Sequence, residues 1–109
     1  MRQRAALLRT YMFSTDVILL DEPFSALDAI TRDSMHKWYL HLAEVYKKST
    51  IFITHDIDEA ILLSDKIYIM AGNPGEIISE ILIEGNKDKE FNVSEEFMSY
   101  KRKILNIMR

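Results

Sequence analysis

Val17-Ile18-Leu19-Leu20-Asp21-Glu22-Pro23, running straight into Phe24-Ser25-Ala26-Leu27-Asp28, decides how this chain is read. Four apolar residues in succession describe a short strand buried on both faces, as parallel strands commonly are. The run stops at two adjacent carboxylates. A carboxylate at the C-terminal end of a buried parallel strand sits where open α/β sheets bind their ligands. Pro23 ends the strand, because it has no N–H for the ladder and disfavours the helical region at the residue before it. Two carboxylates at one strand end can divide labour, one holding a hydrated metal ion and the other serving as base or positioner. The plain alternative is a strand end followed by an acidic helix cap, and this stretch taken alone favours it.

Working outward, a long helix is expected from just after Asp28 to about Lys48. Ser25 or Asp28 is its cap, and Ile30, Trp38, Leu42 and Val45 are its apolar stripe. Trp38 lies on that stripe and reads as core. Thr50-Ile51-Phe52-Ile53-Thr54 then reads as a second buried strand, with His55 at its end. Strand, crossover helix and strand make a right-handed βαβ unit, whose two strand ends share one sheet edge. Asp21, Glu22 and His55 are therefore expected near one another. His36 and His41 fall inside the long helix and read as surface or partly buried residues. A lone histidine is usually structural, but one at a strand end beside an Asp-Glu pair favours chemistry.

Bulk properties narrow the class. The chain has 109 residues, 48% hydrophobic and 28% charged, with a formal net charge of −3, the composition of a globular chain of one domain at most. The mild acidity gives no reason to expect nucleic-acid binding. The absence of cysteine excludes a disulfide scaffold and thiolate metal sites, and fits a reducing compartment. Apolar runs fall far short of the roughly 20 residues that span a bilayer. Arg9 interrupts the only N-terminal run with signal-peptide character.

The order apolar-Asp-Glu-Pro, Ser-Ala-Leu-Asp and Thr54-His55-Asp56 resembles the ABC transporter ATPases, where these elements are the Walker B segment, the D-loop and the switch histidine. The wording from Asp21 to Arg32 looks most like ATPase subunits of bacterial importers for nitrate, sulfonates or taurine. The resemblance implies ATP and Mg²⁺ as cofactors. It makes Glu22 the residue that polarises the attacking water, Asp21 the residue that holds Mg²⁺ through water, and His55 a contact of the γ-phosphate. Ser25, Ala26, Leu27 and Asp28 would lie at the contact with a second ATPase subunit. Met1-Arg2-Gln3-Arg4 matches the residues that directly follow the family's Leu-Ser-Gly-Gly signature. Arg2 and Gln3 are thereby assigned to nucleotide binding, at the N-terminus of a helix aimed at a phosphate. By its own pattern that helix runs from Arg2 to about Phe13, with Ala5, Leu8 and Met12 at helical spacing. The implied partners are a second ATPase subunit, a membrane permease and, indirectly, an extracytoplasmic solute-binding protein, with no nucleic acid. The implied location is cytoplasmic, peripheral on the inner face of the cell membrane.

Three departures qualify the resemblance. The signature's serine and glycines are missing, and no Gly-x-x-x-x-Gly-Lys-Ser/Thr occurs, the only glycines being Gly72, Gly75 and Gly85. A phosphate cradle needs a run of backbone N–H groups and a lysine. The family's glutamine-containing loop is also absent. Residues 1–109 are accordingly expected to form a single C-terminal fragment of an ABC ATPase domain: a partial P-loop-NTPase-type α/β fold, inactive alone. The alternative is a truncated, non-catalytic remnant that only associates with partner subunits. Either way, a sheet deprived of its neighbours is expected to expose apolar surface.

The remaining third reads as packing. Asp56 caps a short helix with Glu59 as its capping-box partner. Lys66 to Met70 and Glu76 to Ile83 form an antiparallel hairpin around Gly72-Asn73-Pro74-Gly75. Gly85 to Glu90 is loop-like, and Ser94, Phe97, Tyr100, Ile104 and Met108 mark a terminal amphipathic helix. Lys101, Arg102 and Lys103 read as its solvated face.

Overall fold

The computed structural model describes residues 2–13, 17–72, 75–84, 91 and 94–108, except for the side chains of Arg2, Gln3, Arg4 and Tyr11. The elements follow in the order α1 (Arg2–Phe13), β1 (Val17–Asp21), α2 (Ala29–Tyr46), β2 (Ser49–Ile53), α3 (Ile57–Leu63), β3 (Lys66–Ala71), β4 (Glu76–Leu82) and α4 (Glu95–Met108). This is the expected α/β class, with a parallel pair, an antiparallel hairpin and a terminal helix. The chain divides into two compact units, residues 1–55 and 56–109.

In the first unit β1 pairs with β2 in parallel, from Val17 opposite Ser49 to Asp21 opposite Ile53. α2 is the crossover. Asp28 caps it by accepting a hydrogen bond from the Thr31 N–H at 2.7 Å. Lys47 closes its other end in the left-handed region, φ 49°, with its N–H on the Ala43 carbonyl. The expected stripe of α2 is rotated. Met35, Tyr39 and Leu42 are buried, Trp38 is half-buried, and Ile30 and Val45 are exposed. Apolar residues lie all around this helix, so its sequence admits more than one stripe, and ring packing selects among them. Phe24 meets His36 and Tyr39 edge-on, and Tyr39 meets Phe52 edge-on, at centroid distances of 5.0, 5.9 and 6.1 Å. On α1 the buried residue is Leu7, whereas Ala5 and Met12 are exposed and Leu8 is half-buried. α1 packs on α2.

Burial of the strands on both faces does not hold in this chain. Ile18 is buried and Leu20, Thr50 and Phe52 are half-buried, but Val17, Leu19, Ile51 and Ile53 stand exposed on the other face. Side chains alternate across a strand. A nearly unbroken apolar run therefore offers two apolar faces, of which one is open here.

The second unit is built on the β3–β4 hairpin, antiparallel with a bulge between Ile69 and Met70. Gly72 carries the positive φ, 92°, that the chain reversal requires. Asn73, Pro74 and the expected loop Gly85 to Glu90 lie outside the described residues. Ile61, Ile67, Ile69, Ile81, Ile83, Phe91, Phe97 and Ile104 form one core. Asp56 caps α3 through the Glu59 N–H at 3.1 Å. Ser94 caps α4, accepting from the Phe97 N–H at 3.1 Å and donating to the Phe91 carbonyl at 2.6 Å. The Tyr100 hydroxyl accepts from the Glu84 N–H and donates to the Glu84 carbonyl. Lys101 pairs with Asp58 at 2.9 Å, so it leaves the solvated face assigned to it, where Arg102 and Lys103 remain. Met108 is exposed rather than part of the stripe.

Two stability outcomes follow. Phe24 is 1% exposed and centres the ring cluster. Phe24→Ala should destabilise the first unit by about 3–5 kcal/mol in denaturant unfolding followed at Tyr39 or Phe52. Glu22 holds φ 45°, a region that disfavours any side chain with a Cβ. Glu22→Gly should accordingly be about 1 kcal/mol more stable than Glu22→Ala, since only glycine relieves that strain. Equal midpoints for the two variants would contradict it.

Candidate functional site

The site forms because a parallel ladder brings two strand ends to one edge. Asp21 is the last residue of β1 and lies opposite Ile53, the last of β2. The Glu22 N–H donates to the Ile53 carbonyl at 2.8 Å, which extends the pairing one step beyond the strand. At that step the backbone swings into the left-handed region. The turn carries the Glu22 side chain to His55, with Oε1 and Nε2 3.1 Å apart. The His55 side chain is 89% exposed and that of Glu22 37%, so this contact orients two groups and adds little stability. Asp21 is exposed beside them. Backbone strain in a non-glycine residue is frequent where a side chain must be aimed for function.

From Glu22 the chain passes through a tight segment to the cap of α2. The Ser25 N–H and Oγ both donate to the Glu22 carbonyl, at 3.4 and 3.2 Å. Phe24 is buried and anchors the segment in the core, while Ser25, Ala26 and Asp28 face solvent and Leu27 is half-buried. Of the two cap candidates, Asp28 takes the role. The Thr31 backbone N–H, with Arg32 as a lesser positive neighbour, holds its carboxyl below the usual aspartate value. Arg32, which the sequence reading passed over, donates from Nη2 to the Leu27 carbonyl at 2.6 Å and from Nε to the Phe24 carbonyl at 3.4 Å. Its position four residues after the cap, on the first turn of α2, was the available signal.

The three expected chemical residues thus share one edge, with Glu22 and His55 in contact. The side chains of Arg2 and Gln3 lie outside the described residues; their backbone opens α1. His36 is half-buried against Phe24, and His41 is exposed. Among the described residues no group of three or more His, Cys, Asp or Glu side chains is placed to enclose a metal ion. No helix among them is long and apolar enough to cross a membrane.

No family model matches the chain. Individual relatives do. An uncharacterised ABC transporter ATP-binding protein of Methanocaldococcus jannaschii is 38% identical over 109 residues, which is 100% of this chain and 40% of that protein. An aliphatic sulfonates import ATP-binding protein of Bacillus anthracis is 45% identical over 106 residues, 96% of this chain and 41% of that protein. A bicarbonate transport ATP-binding protein of Synechocystis is 43% identical over 82 residues, 75% of this chain and 12% of that protein. The chain spans 38–41% of the length of the first several relatives it matches. With identities of 38–46% over most of its length, this chain belongs to the ABC transporter ATP-binding proteins and matches a part of each of them.

Proposed function

We propose that this chain is the C-terminal part of an ATP-hydrolysing subunit that energises solute import, of the nitrate, sulfonate or taurine kind. The observation that carries the reading is the Glu22–His55 contact at the shared end of β1 and β2, beside Asp21. The names of the relatives support it at the level of solute transport: import of aliphatic sulfonates for one group, import of formylaminopyrimidine for another and transport of bicarbonate for a third. Those names differ in solute, and sulfonate recurs among them.

The donor set suits the group that the reading requires. Exposed carboxylate oxygens at a strand end fit a hydrated Mg²⁺ that takes its other ligands from water and phosphates, the usual manner for this ion. They do not form a cage of their own. When bound, Mg²⁺-ATP supplies the phosphoryl group and neutralises its charge. Asp21 would hold the hydrated ion. Glu22, aimed by its turn, accepts a hydrogen bond from the attacking water and draws on its proton. His55, whose Nε2 lies on Glu22, is assigned to a γ-phosphate oxygen and to helping hold that water. Transfer of a phosphoryl group asks chiefly for positioning and charge stabilisation, and three side chains gathered at one sheet edge suit the first. Arg2 and Gln3, at the start of α1, are assigned to the nucleotide. Ser25 to Asp28, solvent-facing apart from Leu27, are assigned to contact with a second ATPase subunit. The other partners are a membrane permease and, through it, a solute-binding protein, which puts the chain at the inner face of the cell membrane.

The 109 residues contain no phosphate cradle, so residues 1–109 constitute one part of a domain and turnover requires a polypeptide that carries the cradle. The open face formed by Val17, Leu19, Ile51 and Ile53 supports the same reading, since parallel sheets are normally covered on both faces.

Nucleotide binding tests the reading first, using a fluorescent ATP analogue with Mg²⁺ and the 109-residue chain. No binding by the folded chain is expected. Tight, Mg²⁺-dependent binding abolished by Asp21→Asn would show a site complete without a cradle and overturn the proposed division. In the subunit completed by its cradle-bearing part, Glu22→Gln should stop hydrolysis while ATP binding survives. Undiminished turnover by that variant removes Glu22 from the mechanism.

A further inference from the structure

We propose that Arg32 is a positioning residue for the Glu22–His55 pair, acting through the carbonyls of Phe24 and Leu27. The segment from Glu22 to Asp28 begins on a strained residue and is otherwise weakly bonded to itself. Its internal backbone hydrogen bonds, Ser25 N–H to Glu22 O and Leu27 N–H to Phe24 O, are long, at 3.4 and 3.3 Å. The Arg32 guanidinium bridges the same segment from the first turn of α2. Nη2 reaches the Leu27 carbonyl at 2.6 Å and Nε the Phe24 carbonyl at 3.4 Å. A hydrogen bond from a charged donor is stronger than one between neutral groups. The Arg32 backbone N–H donates to the Asp28 carbonyl at 2.8 Å, so the residue that reaches the segment is itself seated by the helix start.

This geometry makes one unit of the turn and the helix. The Glu22 N–H is tied to β2 through Ile53, Phe24 is sunk in the core, and Arg32 fixes the carbonyls of Phe24 and Leu27 on the far side. With both ends fixed, the left-handed turn at Glu22 persists and its carboxylate stays on His55. Without the guanidinium, the segment can relax Glu22 toward an ordinary conformation and draw its carboxylate away. Lysine is no substitute, because a point charge on a flexible stem cannot span two carbonyls as a planar fork does. Arg32 touches neither carboxylate nor imidazole; it acts on their placement. The importance of that placement rests on the function proposed above, but the placement itself is measurable without turnover.

The test uses isotope-labelled 109-residue chain in solution NMR, with Arg32→Gln and Arg32→Lys. In the unsubstituted protein the Arg32 Nε–H should exchange with water at least about tenfold more slowly than that of the exposed Arg102. Through-space contacts between the His55 ring and the Glu22 side chain should be present. Arg32→Gln should abolish them while the ring resonances of Phe24 and Tyr39 keep their positions, and Arg32→Lys should restore them only in part. Contacts undiminished in Arg32→Gln, or an Arg32 Nε–H that exchanges like Arg102, overturn the proposal. Loss of the folded ring resonances in both variants also overturns it, making Arg32 a residue that holds the fold. Failure of the full subunit to hydrolyse ATP counts against the proposed function and leaves this result standing.

Discussion

The parallel pairing of β1 with β2 is the constraint on which the site depends. Parallel strands point the same way, so their C-terminal ends reach the same edge however far apart they lie in sequence. Thirty-odd residues separate Asp21 from His55, and the ladder from Val17–Ser49 to Asp21–Ile53 removes that separation. One further hydrogen bond, from the Glu22 N–H to the Ile53 carbonyl, fixes where the ladder stops. Slipping the pairing by one residue would turn Ile18 outward and Leu19 inward and would misplace both acids with them. Register in the core and geometry at the edge are therefore a single property.

The edge also shows how a strained residue is kept. Glu22 sits at φ 45° between two anchors, the end of the ladder behind it and the buried Phe24 ring ahead of it. Asp28 completes the passage by capping α2. A capping carboxylate at a helix N-terminus is favoured by the free N–H groups and by the dipole, and the lowered proton affinity of Asp28 has that origin first. Conformational strain, aromatic packing and a cap act in succession over seven residues.

Much of this was legible in the residues. Asp21-Glu22-Pro23 marked the strand end, Ser25 or Asp28 the cap and His55 the second strand end, because turn formers and charges interrupt apolar runs sharply there. The hairpin and the terminal helix followed from Gly72 and from the spacing of Phe97 and Ile104. What sequence did not supply was the choice among competing faces. α2 carries Ile30, Met35, Trp38, Tyr39, Leu40, Leu42 and Val45, which is enough for more than one stripe; Tyr39 meets Phe24 and Phe52, and Met35 and Leu42 are buried on the same helix. An apolar run likewise states that a strand has two faces suited to burial, not that both are covered, as Leu19 and Ile51 show. Arg32 stands four residues after the cap, but that spacing alone does not say what a basic side chain reaches; its meaning lies in the carbonyls of Phe24 and Leu27 that accept from it.

The two pairs of strands differ in how far along the chain each must search for its partner. The hairpin closes between Ala71 and Glu76, whereas the parallel pair must join Val17 to Ser49 across the whole of α2. Loop closure costs more entropy over the longer span, and non-local pairings are the slower ones to form. The ladder that aligns Glu22 with His55 is thus expected to form after the hairpin. On a ribosome this order would run against the direction of synthesis, since β1 and β2 emerge before the hairpin whose closure is the shorter.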